Sequence, residues 1–329
     1  MKGSLARRLI IWIGLPLGAL FLLAAWFGAS RSFYRVERDT EDYARLMARY
    51  QAERVEESMN GWVQIPSNVA YTLESDAFTA EPELEAFLRR VVQHNSDVHG
   101  CCIAFEPGSF TPGKHFYAPY WHWTGKDVSF VQVGNPEYDY FKWEWYAEPK
   151  RTGRKMWTEP FFDEGGGDVM MTTYCVPFRR DGVFRGVATV DVALEQLIKE
   201  TKEVPVGREG YIMLLSRSGR FLVCPDESKV MKATIHESNP ELGKLMTSGK
   251  EGLVRAREPF GGRKAWVAFA PIWRESFSLA VVIPEAEAMA GARALVWELV
   301  AIGVLGMLGM LAGLWRIAHS AAKPIASLA

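Results

Sequence analysis

Between Tyr117 and Tyr146 the chain carries Tyr117, Tyr120, Trp121, Trp123, Phe130, Tyr138, Tyr140, Phe141, Trp143, Trp145 and Tyr146, with Val128, Val131 and Val133 as its only Val, Ile or Leu residues. Aromatics used purely as core are expected to be mixed with aliphatic side chains, so this composition points to a wall facing a ligand. Two acids lie downstream. Asp163 follows Pro160-Phe161-Phe162, and Asp191 ends the apolar run Gly186–Val190. A carboxylate at the end of a buried strand is costly unless it meets a cation or several donors. Aromatic faces and carboxylates together favour an ammonium cation.

Other chemistry fits less well. The run Asp163–Asp168, DEGGGD, has closely spaced carboxylates and glycines but lacks an EF-hand spacing and its terminal bidentate Glu, so it reads as a turn. His115 and His122 have no Cys or carboxylate at metal-ligand spacing, and no metal or other cofactor is expected. The four cysteines, Cys101, Cys102, Cys175 and Cys224, sit in apolar surroundings and read as buried thiols without an essential bridge. HExxH, GxSxG and Walker A patterns are absent, so the chain is not expected to be an enzyme.

The elements that position these residues lie between two apolar blocks. The chain has 329 residues and a net charge of −1, without the basic bias of a nucleic-acid binder. Leu9–Ala29 is uncharged and, as a helix, spans about 30 Å, the thickness of a hydrocarbon core. Its length and its interfacial Trp26 and Phe27 favour an uncleaved anchor at 9–29 over a signal peptide. A second span covers 294–315, where Gly309 and Gly313 form a small-xxx-small pair, with Gly303 and Gly306 adding small surfaces. Lys2, Arg7 and Arg8 precede the first span, and Arg316 and Lys323 follow the second. The positive-inside rule then puts 1–8 and 316–329 in the cytoplasm and 30–293 outside the membrane.

After the first span, 30–75 has the apolar spacing of a long stalk helix, with Pro66 expected to kink or interrupt it. A short helix is expected over 82–94, then strands in GCCIAF, FYAPYWHW, VSFVQV, VMMTTYCVPF and FRGVATVDVAL. Helix 194–202 leads to a second strand group, GYIMLLSRSGRFLVCPD, RKAWVAFAPIW and FSLAVVIPEAEA, opened by a hairpin at Ser218-Gly219. TYCVPFRRDGVFRGVATVDVAL (173–194) and AFAPIWRESFSLAVVIPEAEA (268–288) share a layout that aligns Pro177 with Pro271 and Asp181 with Glu275. The expected fold is therefore α+β: a stalk helix and two tandem PAS-like modules on antiparallel sheets, 76–202 and 203–293, between transmembrane helices.

This arrangement resembles the double Cache (dCache) sensors of bacterial receptors over roughly residues 30–290. The stretch YDYFKWEWYAEPKRTGRKMWTEPFFDEGGGDVMMTTYCVPFRRDGVFRGVATVDVAL is especially similar to sensors ahead of SpoIIE-type phosphatases or histidine kinases. RIAHSAAKPIASLA, with Pro324, resembles the opening of a HAMP relay, and the absence of an output module suggests a truncated chain or a degenerate gene. The resemblance implies that Tyr138, Trp145, Tyr146, Asp163 and Asp191 bind an amine or amino-acid ammonium in the distal module. Two positions depart from the family pattern. Trp143 stands where amino-acid-binding members carry a basic carboxylate clamp, with Lys142 beside it, and Phe161 replaces a tyrosine. These departures favour an amine over an α-amino acid unless Lys142 turns inward.

The chain is thus expected to be a signal-transducing receptor, homodimeric through 35–56 and the second span, relaying a small-molecule signal to a HAMP unit. The competing reading is an extracytoplasmic module that docks a periplasmic binding protein. Nucleic acid is not an expected partner.

Overall fold

The computed structural model describes residues 10–75, 77–164, 167–202, 205–273 and 276–322. Lys2, Arg7, Arg8, Lys323, Pro324 and Glu275 lie outside the described residues, and the HAMP-like segment is described only to Ala322. Contacts divide the chain into two units: the described residues up to Tyr43 together with those from Pro284 onward, and Ala44–Ile283.

In the first unit, helix α1 (Leu15–Glu74) begins, and a second long helix, numbered α8 below, runs over Ala290–Ala322. Both contain a segment long and apolar enough to cross a membrane. Gly303 faces the Phe21 ring, where a Cβ would lie 2.2 Å from Phe21 Cε1, so a larger residue would displace the ring. Gly306, Gly309 and Gly313 have no such neighbour among the described residues of this chain.

The second unit holds the rest. The buried face of α1 repeats at helical spacing: Ala44, Ala48, Ala52, Val55, Met59, Trp62, Pro66 and Val69. Of the two expectations for Pro66, a kink or an interruption, the interruption does not occur: the helix runs through it. It cannot donate to the Trp62 carbonyl, but its ring is buried, and the Ser67 hydroxyl donates to the Val63 carbonyl at 2.8 Å. Packing outweighs propensity there. The Trp62 indole N–H donates to Asp97 Oδ2 at 2.8 Å, tying α1 to the loop after α2 (Glu81–Gln93). Helix α2 starts after extended Ala80 with a proline in its first turn and buries Leu84, Leu88 and Val92 along one face.

The first sheet contains β1 (Gly100–Phe105), β2 (Pro119–Thr124), β3 (Asp127–Gln132), β4 (Met156–Trp157), β5 (Phe161–Phe162), β6 (Met170–Arg180) and β7 (Val183–Ala193). Its order is β3-β2-β1-β7-β6-β4, with β5 also paired to β6. Helix α3 (Glu144–Thr152) ends at Gly153, whose φ of 65° is the left-handed cap that glycine adopts without strain. Helix α4 (Leu194–Lys202) follows β7 without a break.

The second sheet contains β8 (Tyr211–Ser216), β9 (Phe221–Val223), β10 (Gly252–Arg257), β11 (Lys264–Ile272) and β12 (Phe277–Pro284), in the order β10-β11-β12-β8-β9. Helices α5 (Ile235–Ser238) and α6 (Pro240–Met246) contribute Ile235, Leu242 and Met246 to its core with Met213, Phe221, Val267 and Val282. A short helix, α7 (Glu285–Ala288), then leads into α8.

The two sheets share a plan. In each, the first strand lies between the second strand and the last, and the penultimate strand flanks the last on its other side. Pro177 in β6 and Pro271 in β11 occupy these penultimate strands, so the sequence echo corresponds to a repeated PAS-like topology.

Candidate functional site

Side chains two residues apart on a strand share a face, so the register defines the site. Across β2, β1, β7 and β6, His122, Gly100, Asp191 and Thr173 form one row. Tyr120, Cys102, Thr189 and Cys175 form the next row on the same face. Gly100 is the gap in this pattern. A Cβ there would meet the Tyr120 hydroxyl and ring at 2.7 Å, so the missing side chain lets Tyr120 lie over the strand toward Asp191.

Above this face, Val133, Tyr138, Trp145, Phe161, Asp163 and Met171 complete a cleft with Cys102, Tyr120, Thr173, Thr189 and Asp191. It holds about 290 Å³ of empty space counted out to its mouth.

Both acids are buried, Asp163 at 7 % and Asp191 at 5 % exposure. Asp163 Oδ1 accepts from the Tyr138 hydroxyl at 2.9 Å, and Oδ2 accepts from the Gly167 N–H at 2.8 Å. Burial raises the Asp163 pKa, and these two donors pull it back. Asp191 Oδ1 accepts from the Thr173 hydroxyl at 2.7 Å. Burial first and the Asp163 charge second push Asp191 up to about 7, while Thr173 and Tyr120 favour its charged form. The Tyr120 hydroxyl nevertheless has no hydrogen bond of good geometry and is buried, so it is a donor in waiting.

Among the described residues no lysine, arginine or histidine lines the cleft. Lys142 points outward: Nζ pairs with Asp139 Oδ2 at 2.9 Å, and its side chain is 81 % exposed. His99 and His122 pack 5.6 Å apart beside the row of Asp191, and burial lowers the pKa of both. Two buried carboxylates, aromatic faces and no lining cation make an arrangement that an organic cation would complete.

The sequence-predicted residues divide. Tyr138, Trp145, Phe161, Asp163 and Asp191 line the cleft. Trp143 does not line it; it stacks on Tyr138 with centroids 5.0 Å apart and leans on Phe161 at 5.9 Å. Tyr146 is turned elsewhere, its hydroxyl donating to Glu106 Oε1 at 2.6 Å within the core. The aromatic segment is likewise not one wall. Tyr140 is core, donating to the Phe105 carbonyl at 2.7 Å, and Trp121 packs with Phe130 on the opposite face. Tyr120, counted in the sequence only within the aromatic segment, lines the cleft; Thr173 and Thr189 were missed, and their only sequence signal is period-two spacing from other members of the face.

The DEGGGD turn places Asp163 against Tyr138 and Gly167, with Gly165 and Gly166 outside the described residues. Among the described residues no group of three or more His, Cys, Asp or Glu converges to hold a metal ion. All four cysteines are buried and unbridged. Cys102 lines the cleft, and burial pushes its thiol pKa well up.

Comparison with known proteins places this geometry. Residues 84–199 match a family described as methyl-accepting chemotaxis protein-like, first PDC sensor domain. The methyl-accepting chemotaxis protein PctB of Pseudomonas aeruginosa is 25% identical over 229 residues, covering 69% of this chain and 33% of PctB. The chain spans a third or less of the length of the curated relatives it matches, which are chemotaxis receptors rather than enzymes. Among solved structures, the extracellular domain of the histidine kinase mmHK1S-Z3 aligns with a TM-score of 0.67 at 24% identity, covering 79% of this chain and 98% of that one. The ligand-binding domain of PctB in complex with L-Arg aligns with a TM-score of 0.59 at 22% identity, covering 77% and 98%. Residues 84–199 are therefore similar to MCP-like first PDC sensor domains, and the two-sheet region has the dCache-type fold seen in chemoreceptor and histidine-kinase extracellular domains.

Proposed function

We propose that this chain is the sensory part of a transmembrane receptor whose cleft binds a small organic cation lacking a carboxylate. The observation that carries the reading is the pairing of Asp163 and Asp191 in one aromatic cleft without a lining cation. The matched PctB structure holds L-Arg. Here the residue expected to clamp an α-carboxylate is Trp143, and Lys142 is engaged by Asp139 outside the cleft. An ammonium would donate to both carboxylates and rest against the faces of Tyr120, Tyr138 and Trp145.

In this reading the apolar segments of α1 and α8 cross the inner membrane, with 30–293 periplasmic and both ends cytoplasmic. Residues 76–202 are the membrane-distal sensing module and 203–293 the proximal relay. Two chains pair, and α8 hands the change to a HAMP unit beyond it. Binding signals only by favouring one of two arrangements of the receptor.

The test is thermal melting of the full chain in nanodiscs at pH 8 with primary and methylated amines and with amino acids. A ligand at 100 times its Kd adds about 2.7 kcal/mol of stability. Amines are expected to raise the melting temperature of the wild type but not of Asp163→Asn. Stabilisation by amino acids with silence from amines would overturn the cation assignment.

A further inference from the structure

The face of the first sheet turned away from the acidic cleft carries a second cavity. Phe105 and Phe178 both pair with Gly186 across their strands, and their rings meet edge to face at 5.5 Å. A Cβ on Gly186 would come within 2.9 Å of the Phe178 ring and 2.1 Å of the Ala104 carbonyl oxygen, so glycine is what lets this aromatic floor form. Phe110, from the loop after β1, packs on Phe105 with centroids 4.9 Å apart and the rings tilted by 36°. Leu73, in the last turn of α1, and Phe78 line it as well. Arg180 and Arg185 complete the lining, and the cavity holds about 370 Å³ of empty space counted to its mouth.

Arg185 is the anomaly. Its backbone is fixed, because its carbonyl accepts from the Glu106 N–H at 2.9 Å and the Ser109 hydroxyl at 3.0 Å. Its side chain is half-buried, and its Nε is buried without a hydrogen-bond partner. Among the described residues no carboxylate pairs with it. A guanidinium set against phenylalanines with a buried, unanswered N–H carries a desolvation cost that an incoming anion removes. Guanidinium geometry suits a carboxylate, and the four phenyl walls suit an apolar body rather than a bare inorganic anion.

We propose that this cavity is a second ligand site, specific for a small amphipathic carboxylate: one aromatic ring or short alkyl chain seated on Phe105, Phe110 and Phe178, with its carboxylate on Arg185. It is opposite in charge preference to the cleft and lies on the other face of the same strands. Such a ligand would also touch Leu73, in the final turn of α1. The inference does not depend on the cation reading of the cleft.

The test is titration of the full chain in zwitterionic nanodiscs with benzoate and 3-phenylpropionate, followed by saturation-transfer NMR and calorimetry, with benzamide and acetate as controls. Saturable binding of the aromatic carboxylates is expected, with benzamide and acetate at least about tenfold weaker. Arg185→Gln should weaken binding about tenfold or more while the melting temperature stays near that of wild type. Leu73→Trp, which fills the cavity and keeps both arginines, should abolish binding and serves if Arg185→Gln misfolds. Asp163→Asn should leave carboxylate binding unchanged. No saturable binding to the folded wild type, equal affinity for benzamide, or an undiminished affinity in folded Arg185→Gln and Leu73→Trp would each overturn the assignment.

Discussion

Thr173 and Asp191 face each other across β6 and β7, and the threonine hydroxyl donates to Asp191 Oδ1 at 2.7 Å. This hydrogen bond favours the charged form of a carboxyl that burial and Asp163 otherwise hold near neutrality, with a pKa of about 7. Thr173→Val keeps the shape and removes the donor. The Asp191 pKa should rise further, and the pH at which cation binding is half lost should move upward. An amine titration at several pH values checks this, and an unmoved midpoint would show that the hydroxyl has no hold on the acid.

The folded pKa of Asp191 exceeds that of an unfolded aspartate, so between about pH 4 and 7 the folded state binds the extra proton. Its contribution to stability is full below that window and is lost as pH rises through 7. Asp191→Asn should therefore melt higher than wild type at pH 8, with the difference shrinking toward pH 5. Cation affinity has the opposite dependence, falling up to tenfold per unit below pH 7 for each proton that must leave. Paired melting and binding curves read both signs in one sample set.

Gly100→Ala should be destabilising by about 1–3 kcal/mol, the usual range for overpacking. Its Cβ would meet the Tyr120 ring and hydroxyl at 2.7 Å and the Trp121 carbonyl oxygen at 2.8 Å, so Tyr120 must swing away from Asp191. Amine affinity should drop in parallel. Denaturant midpoints and calorimetry measure the two effects separately.

Tyr146→Phe separates core from ligand contact. The lost hydroxyl serves Glu106, which also accepts from Lys150 Nζ at 2.6 Å, and so removal should cost roughly 1–3 kcal/mol of stability. Amine affinity should be unchanged. Tyr138→Phe removes a donor to Asp163 and should weaken binding instead.

The long helices and the repeated sheet plan were legible because their signals are local: uncharged runs, helical spacing over Ala44–Val69, and strand runs bounded by turns. Asp163 and Asp191 were legible because a buried acid is conspicuous. Thr173 and Thr189 were not, and Tyr120 could not be told apart from the rest of its aromatic segment, since their place in the cleft depends on register between strands distant in sequence. Tyr138 and Tyr146 look alike in the sequence. Only the partner of each hydroxyl, Asp163 for one and Glu106 for the other, separates them. At Pro66 the helix continues, because burial of the ring outweighs its helix-breaking tendency.

Strand β7 runs directly into α4, and α4 touches both β6 and β7 of the first sheet and β8 and β9 of the second. Asp191 stands three residues before Leu194, roughly 10 Å of extended backbone. A ligand that tugs on this carboxylate therefore pulls on a covalent tether, which cannot slip as a packed interface can. Under the proposed function, a displacement of Asp191 would therefore reach α4 along the backbone itself, whatever side chains surround the cleft.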